Sequence, residues 1–250
     1  MQNSYKKLRC KNTYLAYKQL LFKSNTNVLF LGGYGSNMEG RKAVYIENMC
    51  KELKVSVTRF DYSGHGMSPG QLEEFTIGDW LNDSVEIFDR VVKGETVLVA
   101  SSMGGWLAFL LCLRRAKLIK AIICIAPAID FTENLIWRNL DDSQKENVKK
   151  QGFISICLEK DYEHKFSHKL DSGGKDYLIL DKEIKIECPV YLLHGEKDSV
   201  VPYSISLEVM NKLISKKVDV RILKGAGHRM SEPYELKILG ETLKQALENL

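Results

Sequence analysis

Three residues of this chain could together turn an ordinary hydroxyl into a nucleophile: Ser102, Asp198 and His228. A serine oxygen attacks a carbonyl well only when a base takes its proton. A histidine whose tautomer is held by a carboxylate is such a base. Ser102 stands in Ala100-x-Ser102-x-Gly104, with Gly105 behind it. That pattern is a form of the G-x-S-x-G elbow, where a strand turns sharply into a helix and exposes a serine at the apex. Small neighbours are needed because the serine backbone is strained and larger side chains would strike adjacent strands. Ala100 in the first glycine position adds a single methyl, and the register selects Ser102 over Ser101. The aspartate follows the serine by 96 residues, in His194-Gly-Glu-Lys-Asp198. The histidine follows 30 later, in Gly225-Ala-Gly-His228.

Such a set needs donors for the oxyanion that forms on attack. The backbone N–H of Met103, directly after the nucleophile, and that of Tyr34, in the loop Gly32-Gly33-Tyr34-Gly35-Ser36, are the candidates. Their side chains are then expected to line the pocket. An apolar acyl pocket over Ser102 could be walled by Phe131, Leu135, Ile136, Trp137, Phe153 and Ile154, helped by Trp106 and Met103. The same residues could equally anchor their segment to the sheet, and the sequence leaves both readings open.

Behind these loops lie buried strands alternating with helices. Lys7–Cys10 and Tyr14–Tyr17 suggest an antiparallel hairpin at a sheet edge. Asn27–Leu31, Val97–Ala100, Ala121–Ala126 and Pro189–Leu193 are continuous apolar runs, the sign of strands covered on both faces. Further strands are predicted at Val55–Phe60 and Val218–Leu223. The clearest helix starts at Thr76, with Asp79 in the capping-box position and Ile77, Trp80, Leu81, Val85, Phe88 and Val92 on one face. Other helices are predicted over about Gly40–Leu53, from Leu107, over Ser204–Ser215, and through Leu236, Leu239, Leu243, Leu247 and Leu250. Between 130 and 181 the regularity lapses into apolar residues mixed with dense charge, which predicts a lid inserted in a single domain of residues 1–250. The whole predicts an α/β fold with a mostly parallel sheet covered on both faces. Ligands then bind beyond the carboxyl ends of the strands, where Ser102, Asp198 and His228 all fall.

Other polar residues have plainer readings. Asp61, in Asp-x-x-Gly-His-Gly-x-Ser, reads as a loop-shaping carboxylate, and His65 and His194 read as structural histidines. His164 and His168 lie four apart, but no third ligand suggests itself, so no metal is expected. Glycines 32, 33 and 35 lack dinucleotide-loop spacing, and no cofactor is expected. A net charge of +4 from interspersed 36 basic and 32 acidic residues gives no basic block for nucleic acid. No apolar run approaches a membrane span, and the N-terminus lacks a secretory apolar segment. Six scattered cysteines, with no C-x-x-C pair, fit reduced thiols in a cytoplasmic protein.

The order Ser, Asp, His is that of α/β-hydrolases. The chain resembles that superfamily from near residue 30 to near 230, through Gly35-Ser-Asn-Met-x-Gly40, Arg59-Phe-Asp-Tyr-Ser-Gly64, Ser101-Ser-Met-Gly-Gly-Trp106, Leu192-Leu-His-Gly195 with Lys197-Asp198, Asp219-Val220 and His228-Arg-Met230. More narrowly it is similar to the branch of mitochondrial palmitoyl-protein thioesterases and acyl-glucuronide esterases and its bacterial relatives. The resemblance implies an eight-stranded sheet, no cofactor, and a serine esterase acting on small acyl esters or thioesters, S-acylated proteins among them. Carried over by position, the triad is Ser102, Asp198 and His228. Gly32-Gly33 replaces the superfamily's more usual His-Gly, which leaves the backbone donor at Tyr34 in place. No transit segment is evident, so the resemblance points to a bacterial cytosolic enzyme. A serine peptidase of the same fold and a non-catalytic ligand receptor are the alternatives.

Overall fold

Alternation inside the apolar runs decides how the sheet is covered. Successive side chains of a strand pass to opposite faces, so a run that is apolar throughout needs helices on both sides. The computed structural model describes residues 4–11, 13–159 and 162–250, the side chains of 157–164 excepted. At one edge, β1 (Lys6–Cys10) and β2 (Thr13–Leu20) form the expected antiparallel hairpin. The chain continues through β3 (Thr26–Leu31), α1 (Arg41–Leu53), β4 (Ser56–Phe60), α2 (Ile77–Arg90), β5 (Glu95–Ser101), α3 (Met103–Arg115) and β6 (Ile119–Ile125). An insertion follows, with α4 (Asp142–Gln151), a hairpin of β7 (Phe153–Glu159) and β8 (Tyr162–Ser167), and α5 (His168–Gly174). The core resumes with β9 (Val190–Gly195), α6 (Ser204–Lys212), β10 (Val218–Leu223) and α7 (Pro233–Glu248).

Eight strands form one sheet in the order β1-β2-β4-β3-β5-β6-β9-β10. Only the β1–β2 and β2–β4 pairs are antiparallel; the other neighbours run parallel. Leu29, Leu31, Leu98, Ala100, Ile122 and Cys124 pack with α2, α3 and α6 on one face. Val28, Phe30, Val97, Val99, Ile123 and Ile125 pack with α1 and α7 on the other. Every second residue thus belongs to a different core. Thr76 and Asp79 cap α2 reciprocally, the Thr76 N–H donating to Asp79 Oδ2 at 2.9 Å and the Asp79 N–H to Thr76 Oγ1 at 3.3 Å. Among the described residues, no helix is long and apolar enough to cross a membrane.

The stretch that reads as irregular contains regular elements, none of which joins the main sheet. Its two ends meet at Asp130, a buried residue with φ 54°. The carboxylate accepts the N–H groups of Ile179 at 2.9 Å and Leu180 at 2.8 Å, which ties the start of the insertion to its finish. Cys10, Cys50, Cys112, Cys124 and Cys188 are free thiols; the Cys157 side chain lies outside the described residues.

Candidate active site

The elbow forms because its backbone is bonded on all sides. Ser102 has φ 55° and ψ −121°, a region that costs a residue with a side chain of order 1–3 kcal/mol. Its N–H donates to Ile125 O at 2.9 Å, and its carbonyl accepts from Gly105 at 2.8 Å and Ala128 at 3.0 Å. Glycine is required at 104, where a Cβ would lie 2.3 Å from Leu31 O. The first turn of α3 therefore presses directly on the end of β3. At Gly33 a Cβ would stand 3.3 Å from Ser102 Cβ, so the glycine-rich loop passes beside Ser102.

Asp198 follows β9 and His228 follows β10, two strands that pair with each other beyond β6 in the sheet. Asp198 Oδ1 accepts the N–H groups of Val200 at 2.9 Å and Val201 at 2.8 Å. Its Oδ2 lies 2.8 Å from His228 Nδ1 and 3.2 Å from His194 Nε2. Burial works against this carboxylate, but hydrogen bonds from His194, His228 and Val201 outweigh it and hold Asp198 well below the ordinary range. A charged Asp198 accepts a hydrogen bond from Nδ1–H and leaves Nε2 of neutral His228 as an acceptor. That Nε2 lies 3.1 Å from Ser102 Oγ. The structure brings the three sequence-selected residues into one hydrogen-bonded chain.

Asp61 and His65 shape the loops around the chain, as their sequence context suggests. Asp61 accepts the N–H groups of Met38 at 2.6 Å and Met67 at 2.8 Å. Buried His65 accepts the Gly35 N–H at Nε2, 3.1 Å away, with Nδ1 3.2 Å from Ser63 O. Desolvation pushes its pKa down to about 4, so the ring stays neutral and remains an acceptor. On its other side the loop is tied to the insertion. The Tyr34 hydroxyl donates to Lys165 O at 2.6 Å, and the ring stacks on Phe166 at 5.1 Å. Tyr34→Phe keeps the backbone donor and the stack on Phe166 while removing the hydrogen bond to Lys165 of β8. We expect a three- to tenfold slower acylation, the size of one hydrogen bond, with little change in thermal midpoint; stopped-flow acylation with an activated ester measures it.

Ser102 and His228 open on a cleft of about 790 Å³. Its lining is apolar at Met103, Ala128, Phe131, Leu135, Ile136 and Phe166 and charged at Arg41, Lys42, Arg229, Glu232 and Glu235. Tyr34 and Met103 line the cleft as expected. Three of the four expected acyl-binding aromatics do not. Trp106 is fully buried beneath the cleft, donating its indole N–H to Tyr177 O at 3.0 Å and backing Phe131 edge-on at 5.8 Å. Trp137 lies on the insertion, flanked by Lys149, Lys175 and His168. Phe153 is 43% exposed, under the Lys165 ammonium. Of the four aromatics only Phe131 lines the cleft, with the expected Leu135, Ile136 and Met103 beside it. Ile154 packs inside the insertion.

Phe166 is a lining aromatic that sequence reasoning missed, because it belongs to β8 in the irregular stretch. The contact of His194 with Asp198 was also missed, although their spacing of four residues around one strand end hinted at it. The His164 side chain lies outside the described residues, so the pairing of His164 with His168 does too. Among the described residues, no group of three His, Cys, Asp or Glu side chains is placed to hold a metal ion.

Comparison with known proteins agrees with this architecture. A family model described as Serine aminopeptidase, S33 matches residues 23–154, and one described as Prolyl oligopeptidase family matches residues 91–243. The mitochondrial palmitoyl-protein thioesterase ABHD10 of Mus musculus is 37% identical over 237 residues, covering 94% of this chain and 80% of that protein. The solved structure of the mouse α/β-hydrolase domain-containing protein 10 superposes with a TM-score of 0.92 at 34% identity, covering 98% of this chain and 99% of that one. A putative hydrolase from Agrobacterium vitis S4 gives 0.92 at 27% identity, covering 97% and 98%. The chain belongs to the α/β-hydrolases, in the branch that holds the ABHD10 thioesterases.

Proposed function

We propose that this protein is a serine hydrolase that cleaves acyl thioesters or carboxylic esters through an acyl-enzyme on Ser102. One observation carries the reading: His228 is hydrogen-bonded at once to Asp198 and to Ser102. His228 Nε2 takes the hydroxyl proton as Ser102 Oγ bonds to the acyl carbon. The resulting oxyanion is met by the backbone N–H of Met103, at the N-terminus of α3, and by that of Tyr34. The imidazolium, stabilised by Asp198, gives its proton to the departing alcohol or thiol. Water then repeats the steps with His228 as base, releasing the acid and restoring Ser102.

The apolar part of the cleft lining suits an acyl chain, and its charged residues suit a polar leaving group, a protein thiol among them. The relatives named palmitoyl-protein thioesterases support a long acyl chain. The test is a burst experiment with p-nitrophenyl esters of graded chain length, beside acyl thioesters and aminoacyl p-nitroanilides, with a fluorophosphonate probe reporting on Ser102. We expect a burst near one equivalent of p-nitrophenol and probe labelling at Ser102. Faster turnover of the anilides would make the protein a peptidase; a silent serine would make it a receptor.

A further inference from the structure

The proposed site contains a second histidine that the triad mechanism does not use. His194, at the end of β9, is completely buried, and both its ring nitrogens are engaged. Nε2 faces two acceptors and no donor: Val201 O at 2.9 Å and Asp198 Oδ2 at 3.2 Å. It must therefore carry the proton. Nδ1 lies 2.8 Å from the hydroxyl of Ser206 on α6, itself fully buried. With Nε2 protonated in the neutral ring, Nδ1 accepts from that hydroxyl. The bonds run in one direction, from Ser206 to His194 to Asp198 Oδ2, and meet there the bond from His228.

We propose that His194 is a positioning residue for Asp198. This rests on the triad reading above. Two imidazole N–H groups share one carboxylate oxygen, while two backbone N–H groups hold the other. The shared oxygen cannot rotate away from His228, and its charge is divided between two donors. Loss of the His194 donor frees the carboxylate and concentrates the charge of Oδ2 on His228. Both effects favour protonated forms of the pair, so the acid limb of the rate profile moves to higher pH. The ionisable groups facing Asp198 are His194 from β9 and His228 from the loop after β10. Arg41 and Lys42 from α1, with Arg229, Glu232 and Glu235 from the segment that leads into and starts α7, line the same cleft.

Glutamine can place an amide N–H near the position of an imidazole Nε2–H, whereas phenylalanine fills the space without a donor. For His194→Phe we expect kcat on p-nitrophenyl butyrate to fall roughly tenfold, with KM within twofold. Its acid limb of kcat/KM should move up by about half a unit to one unit. His194→Gln should return the profile to that of the wild type. Ser206→Ala, which leaves His194 in place but weakens its donor, should move the limb the same way by less. Equal losses in the Phe and Gln variants with an unmoved acid limb would reduce His194 to packing and overturn the proposal, as would wild-type kinetics in His194→Phe. Should His194→Phe not fold by circular dichroism, an unmoved limb in Ser206→Ala overturns it instead. Fluorophosphonate labelling separates the two ideas. A wild-type protein that does not label loses the triad reading, whereas normal labelling with unmoved profiles loses only the role of His194.

Discussion

Replacing Ser102 by alanine is expected to lower kcat on a p-nitrophenyl ester by roughly 10⁵- to 10⁶-fold, with KM within about threefold. The size follows from what the hydroxyl supplies. Without it no acyl-enzyme forms, His228 has no proton to take, and the residual rate is that of water in a site that still binds the oxyanion. KM changes little because the cleft walls, from Met103 to Phe166, are untouched. A collapsed fold would mimic the result, so stability must be read independently. Ser102 has φ 55°, and alanine inherits that strain, whereas glycine does not. Ser102→Gly should therefore be equally inactive yet about 1–2 kcal/mol more stable by urea titration. An inactive variant that is more stable than its parent separates chemistry from folding. An undiminished rate in either variant would remove Ser102 from the mechanism.

The same strain explains what was legible in the sequence. A serine forced into that conformation needs small residues on both sides, and the chain shows them as Ala100, Gly104 and Gly105. The Asp198 and His228 loops follow apolar strands whose continuous hydrophobicity marks them as buried on both faces. Parallel strands put all three loops at one end of the sheet, so topology assembles a site whose members lie 126 residues apart. The capping box at Thr76 and the edge hairpin were legible for a related reason. Each is set by residues within a few positions of one another.

The apolar lining of the cleft was not legible, because no local rule fixes it. The insertion carries apolar side chains on several faces, and only its docking decides which face meets Ser102. Trp106 and Phe131 show the ambiguity. Both are large, aromatic and close to the elbow, but Trp106 faces inward from α3 and bonds Tyr177, while Phe131 lines the cleft onto which Ser102 opens. Phe166 reaches the cleft only because β8 pairs with β7, and Asp130 holds the two ends of the insertion together. Aromatic content predicted that there would be a pocket, but not which aromatics would line it.

Asp198→Asn is expected to cost about 10⁴-fold in kcat while leaving the nucleophile and its base in place. The argument turns on donors. Four N–H groups converge on this carboxylate, from Val200, Val201, His194 and His228. An amide offers one oxygen and one NH₂, so one orientation sets its NH₂ against the two imidazoles and the other sets it against the two backbone N–H groups. In the first, His228 can accept at Nδ1 only by moving its proton to Nε2, and it can then no longer take the proton of Ser102. In the second, two buried backbone donors lose their acceptor, at about 1–3 kcal/mol. The stability effect has a definite pH dependence. Asp198 titrates lower in the folded chain than the unfolded value of about 3.9, so its charge stabilises the fold fully above that value. That contribution is lost only as pH falls toward the depressed folded pKa. The gap between wild type and Asp198→Asn in urea titrations should hence be constant from about pH 5 to 8 and shrink below about pH 4. A loss in kcat of less than tenfold, with the stability gap present, would make Asp198 a structural carboxylate and leave His228 without its orienting partner.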